Sequence, residues 1–115
     1  MKSDLPERTF AIAERIVRLC QFLENDNTVS SILMKQLLRS GTAIGAHVEE
    51  GQASESRKDF VHKYSIALKE ARETHYWLRL LASTDLLPAS RLESLTQELN
   101  ELIAILTTIC KKTRN

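Results

Sequence analysis

Glu70 and Glu73, two carboxylates one helical turn apart, come nearest in this chain to the type and spacing that acid–base chemistry needs. Lys69 and Arg72 are close neighbours, and ionised, neutralised carboxylates are poor general acids at neutral pH. The pair therefore reads as a structural ion-pair element. A dinuclear metal centre inside a helical bundle needs Glu-x-x-His on two helices, and this chain has none; its nearest match is Asp59, Phe60, Val61, His62. The three histidines, His47, His62 and His75, lack a second ligand four residues away, and His47 reads as a polar contact beside Glu49 and Glu50. No Gly-x-Ser-x-Gly turn is present, and neither Cys20 nor Cys110 has a histidine in supporting context. The expectation is a protein that is not an enzyme and uses no metal or cofactor.

The elements that carry these residues are legible from period and punctuation. Asp4 and Glu7 form a capping box with Pro6 in the first turn, and Phe10, Ala13, Ile16, Val17, Cys20 and Leu23 then hold one face, with Ile12, Leu19 and Phe22 off it. Asn25, Asp26, Asn27 and Thr28 end that helix and open the next, whose face is Leu33, Leu37, Ile44 and Val48. Gly41 and Gly45 cost helix propensity, about 1 kcal/mol each, which makes sense where another helix comes close. A phosphate loop would need a preceding strand, and none is offered. Gly51 to Ser56 supplies a break, and Ser56 with Asp59 forms a second capping box. Phe60, Tyr64, Ala67, Ala71, Thr74, Leu78 and Leu81 mark a third helix. Leu92, Leu95, Leu99, Leu102, Leu106 and Ile109 mark a fourth.

The reading is all-α: one domain over 1–115, an antiparallel up-down-up-down four-helix bundle with helices over about 6–24, 29–50, 57–82 and 88–112. A chain of 115 residues fits one domain and can bury a sufficient core without staples. The apolar stripes are wider than a two-position seam, which points to self-association. The two cysteines read as buried small hydrophobes in a reducing compartment, and no apolar run approaches the ~20 residues of a membrane span, so the expected location is cytoplasmic.

Sixteen basic residues against fifteen acidic ones leave no global field for polyanions, so any nucleic-acid contact must be local. Two basic groups are candidates: Arg57, Lys58 and Lys63 early in the third helix, and Lys111, Lys112 and Arg114 at the end of the fourth. A second set, Arg39, Glu49, Glu50, Glu70 and Glu73, reads as a polar network ordering the bundle or a subunit interface, since antiparallel packing brings Arg39 toward Glu70.

The spaced pattern Arg39, Ser40, Ile44, Glu49, Glu50, Asp59, Phe60, Ile66, Ala67, Lys69, Glu70, Ala71, Glu73, Thr74 resembles the signature of the bacterial 23S rRNA intervening-sequence proteins. Gln36, Leu37 and Leu38 on one flank and Tyr76, Trp77 and Leu78 on the other fit as well, while His47 stands where the pattern usually has Asn. The resemblance implies a four-helix bundle that assembles as a ring-like homopentamer without established enzymatic activity. It is similar in fold to the accessory protein of diversity-generating retroelements, which binds nucleic acid and a reverse transcriptase. The partners expected are therefore further copies of the chain and RNA or DNA. A protein-interaction scaffold that binds no nucleic acid is the alternative.

Overall fold

The computed structural model describes residues 4–22 and 28–114, and these form four helices: α1 (Leu5–Phe22), α2 (Thr28–Gln52), α3 (Arg57–Ser83) and α4 (Ala89–Arg114). Local chemistry sets their limits. The Asp4 carbonyl accepts from Arg8 N at 3.0 Å, closing the first turn of α1. Ser56 caps α3 through its side chain, which accepts from Asp59 N at 3.0 Å. At the other end of α3, Asp85 takes a left-handed φ of 60°. That lets Asp85 N donate to Ala82 O and Leu86 N donate to Leu81 O, at 3.2 and 3.1 Å, in a Schellman closure.

Most limits lie one or two residues from the pattern-based reading, and two of the differences bear on packing and on the turn before α4. α2 runs on to Gln52, so Gly51 lies within the helix instead of opening the break, and its backbone packs against Tyr64. α4 starts at Ala89, one residue after Pro88. The expected end of α1 near residue 24, with Leu23, Asn25, Asp26 and Asn27, lies outside the described residues, as do the side chains of Phe22 and Arg114.

Cross-helix contacts fix the topology. Between α1 and α2, Thr9 faces Gly45, Ile16 faces Gly41 and Cys20 Sγ lies 3.8 Å from Met34 O. Between α2 and α3, Ser40 meets Thr74 and Gly51 meets Tyr64. Arg57 donates to Thr113 O at 2.8 Å between α3 and α4, and Ser65 approaches Cys110. Arg8 reaches Glu98, while Arg15 and Arg18 share a depression with Arg91. In every pair one number falls as the other rises, so sequential helices are antiparallel and α4 closes back on α1. The extents of 46 × 20 × 20 Å suit helices of this length packed side by side.

The core is a ladder of leucines from α4 (Leu92, Leu95, Leu99, Leu102, Leu106) facing Leu37, Ile44 and Val48 of α2 and Tyr64, Ala67, Ala71, Leu78 and Leu81 of α3. Each buried leucine contributes about 1.5–3 kcal/mol relative to an exposed one. The periodic positions expected on α2, α3 and α4 are buried or packed against this core, except that Cys110 lies deeper than Ile109. α1 is rotated from expectation: Ile16 is buried as expected, but Phe10 is 56% exposed, while Leu5, Thr9 and Ile12, outside the expected face, are buried. The reason is the backbone of α2. Gly41 and Gly45 leave a groove that receives Ile16 and Thr9, and the Thr9 hydroxyl enters it already satisfied, donating within its own helix to Leu5 O at 2.9 Å.

The glycines are not equivalent. A Cβ on Gly41 would lie 2.3 Å from Ile16 Cδ1, the end of a side chain with some freedom to turn. A Cβ on Gly51 would lie 2.6 Å from two atoms of the Tyr64 ring, which is buried and stacked on Phe60 with centroids 4.1 Å apart. Gly51→Ala should therefore destabilise by about 1–3 kcal/mol of overpacking, outweighing the ~1 kcal/mol helix-propensity gain, and should cost more than Gly41→Ala. Urea denaturation checks this, and a Gly51→Ala protein more stable than wild type would contradict it.

The seam between α1 and α4 is closed by a fork. Arg8 Nε and Nη2 donate to the two Glu98 oxygens at 3.0 and 2.7 Å, and Nη2 also reaches Glu101 at 3.2 Å. The hydrogen bonds from Arg8 hold the Glu98 carboxyl below its ordinary value of 4.5. A carboxyl depressed on folding adds stability above the ordinary value and loses it as pH falls through the folded one. Wild type should consequently lose stability more steeply than Glu98→Gln as pH drops below 4.5. Parallel pH dependences of the two proteins in denaturant titrations would refute this.

Candidate functional site

A polar seam lies along the outer edge of the α2–α3 contact. α2 presents Gln36, Arg39 and Ser40, and α3 presents Glu70, Glu73, Thr74 and Trp77, all within one to two turns. Arg39 Nη1 donates to the Glu70 oxygens at 3.4 and 3.5 Å, and Nη2 donates to Glu73 Oε2. Nε of the same guanidinium donates to Gln36 Oε1 at 3.2 Å. Glu73 Oε2 accepts in addition from the indole of Trp77 at 3.0 Å. Beneath these charges the buried Ser40 and Thr74 hydroxyls lie 2.8 Å apart in a hydrogen bond. Both carboxylates are thus acceptors in one guanidinium-centred network, and the arrangement orders two helices relative to each other. Pairs this exposed stabilise little singly but fix geometry together.

The remaining members of the expected polar network lie elsewhere. Glu50 sits near the end of α2, where its Oε1 is 3.1 Å from His47 Nδ1 and 3.5 Å from Lys63 Nζ. Glu49 is exposed and forms no ion pair among the described residues. Arg39, Glu70 and Glu73 are brought together, therefore, while Glu49 and Glu50 belong to the other end of the helix. His62 is exposed. His75 is half-buried, and that burial, with the charge of Arg79, pulls its imidazole below the usual histidine value. Burial pushes the Cys20 thiol up. No group of three or more His, Cys, Asp or Glu among the described residues could hold a metal ion.

Antiparallel packing merges the two basic groups at one pole of the bundle. The first turns of α3 carry Arg57, Lys58 and Lys63, and they lie beside the last turns of α4 with Lys111 and Lys112. Not all five cations are available there. Arg57 is engaged by the end of α4, donating to Thr113 O where the helix dipole is negative. Lys63 is paired with Glu50. Lys58, Lys111 and Lys112 are exposed and unpaired among the described residues. The Arg114 side chain, grouped with them on sequence, lies outside the described set.

Two features escaped the periodic reading. Arg8 and Glu98 are 90 positions apart, so no local spacing could link them. Tyr76, half-exposed on α3, stands edge-on to Trp77 with centroids 5.1 Å apart and has Arg79 Cζ 5.8 Å from its ring centroid. Its tyrosine-arginine spacing of three was visible in the sequence. The exposure was not.

The geometry has counterparts among known proteins. A family model described as 23S rRNA-intervening sequence protein matches residues 1–108. A search of curated proteins finds no match. A crystal structure of a protein of unknown function from the S23 ribosomal protein family of Bacteroides thetaiotaomicron VPI-5482 is similar, with a TM-score of 0.85 and 41% sequence identity. That likeness covers 93% of this chain and 98% of the other. No helix among the described residues is long and apolar enough to cross a membrane. With the helices, the α2–α3 signature and the matched length in agreement, the chain belongs to the 23S rRNA-intervening sequence protein family.

Proposed function

We propose that this protein is a non-enzymatic, self-associating binding module that takes RNA, or RNA within an RNA-protein complex, through phosphate contacts at the basic pole. The observation that carries the reading is that Lys58 at the start of α3 and Lys111 and Lys112 near the end of α4 lie at the same end of the bundle, three exposed ammonium groups without ion pairs among the described residues. A chain of net charge +1 offers no general attraction to polyanions, so a local cluster has to supply it. The family description, 23S rRNA-intervening sequence protein, points to the same class of client. The homopentameric ring implied by the resemblance would repeat the pole around one face, and repeated weak contacts gain by avidity.

Exposed apolar side chains support self-association: Val29 is 59% and Ile32 54% exposed on one stripe of α2, below Arg39 on the same surface. The same stripe favours the second reading, a protein-interaction scaffold without nucleic acid. Salt-dependent gel shifts with structured 23S rRNA fragments and with duplex DNA separate the two. RNA binding should weaken steeply with salt. Lys111→Gln/Lys112→Gln should reduce the magnitude of the log affinity against log salt slope by about 0.7–0.9 for each phosphate no longer neutralised. Salt-insensitive binding, or none, would leave the scaffold reading.

Arg39 tests the seam in the assembly. Arg39→Ala leaves Glu70 and Glu73 side by side without their shared cation, which should cost on the order of 1 kcal/mol and lower Tm by a few degrees, or shift the oligomer toward smaller species. Light scattering and thermal melting read both effects. Unchanged mass and unchanged Tm together would remove the seam from the account.

A further inference from the structure

The basic pole is not the only place where cations converge. Arg15 and Arg18 on α1 and Arg91 in the first turn of α4 line one open depression of about 400 Å³, floored by Leu19. The two arginines of α1 and the one of α4 are distant in the chain and meet only because α4 folds back along α1. We infer that this depression is a second phosphate-binding site, which takes a phosphodiester of the RNA strand whose binding is proposed above.

Three physical observations support it. Two turns earlier on the same helix, Arg8 is matched by a carboxylate fork from Glu98 and a further contact from Glu101. Arg15 has no hydrogen bond or ion pair among the described residues, acting on Glu98 at longer range, and Arg18 has only Glu14, at 3.7 Å with both side chains largely in solvent. The seam thus changes from compensated to cation-rich along its length. Helix-dipole compensation does not account for the three charges. Arg15 and Arg18 precede the last turn of α1, which holds no basic residue. Arg91 stands at the N-terminal end of α4, where a cation is disfavoured and an anion favoured, and no acidic residue occupies that turn. Finally, guanidinium forks match phosphate oxygens in a way that ammonium groups do not.

The two sites sit near opposite ends of the bundle. At 1.5 Å per residue, Arg91 and Lys111 are about 30 Å apart along α4. Contacts at both sites therefore count separately in a salt titration, and removing one leaves the other intact.

Oligouridylate serves as the probe, with affinity measured by fluorescence anisotropy across a salt series. The variant is Arg15→Gln/Arg18→Gln, two exposed positions outside the core, with Lys111→Gln/Lys112→Gln as the comparison; circular dichroism melting checks that each folds. If Arg15 and Arg18 each hold a phosphate, the slope magnitude falls by about 0.7 for each phosphate released, and Arg15→Lys/Arg18→Lys recovers the slope without full affinity. Combining the glutamine variants at both sites should lower the slope by the sum of the two effects. Wild-type binding with an unaltered slope in Arg15→Gln/Arg18→Gln overturns this site and leaves the basic pole standing. Absence of salt-dependent binding by the wild type removes both.

Discussion

The close approach that α2 permits on two of its faces is the constraint on which the rest of the bundle depends. Gly41 and Gly45 receive Ile16 and Thr9 of α1, and Gly51 receives the ring of Tyr64 of α3. A side chain at Gly41 or Gly51 would stand where a neighbour's atoms already are, and one at Gly45 would press on Thr9 at 3.2 Å. The rotation of α1 follows from this, because the residues that fit the groove are the ones turned inward. Phe10, the largest apolar side chain of α1's first three turns, is therefore turned outward. The register of α3 follows as well, since Tyr64 against Gly51 places Thr74 beside Ser40 and Glu70 and Glu73 beside Arg39.

Charge is then distributed along the two seams that close the bundle. Arg39 gathers two carboxylates across α2 and α3, and Arg8 gathers two across α1 and α4. Neither network is deeply buried, so neither carries a large desolvation penalty, and each is better understood as fixing register than as a main source of stability. The stability comes from the leucines of α4 and the apolar faces they meet. The interior is filled by these side chains, and charged groups and some apolar ones lie on the surface. There the cations collect at the pole of α3 and α4 and in the depression between α1 and α4, while apolar side chains are exposed on α2.

By itself the sequence determined the number of helices, their approximate limits and most of the buried positions on α2, α3 and α4. Those features depend on contacts within a few residues: the Ser56 cap, the periodic leucines and the fourfold and threefold steps of α3. It also placed Arg39 toward Glu70, since antiparallel neighbours joined by a short break bring those turns together. Only the tertiary structure decided the face of α1, the fate of each cation and the pairing of Arg8 with Glu98. The reason is physical: a short amphipathic helix with apolar residues on more than one side can bury either set, and the choice is made by the shape of the surface it meets. Charges carry even less local information, because Arg57 at a helix end, Lys63 in an ion pair and Lys58 in solvent differ only in what chain folding sets beside them.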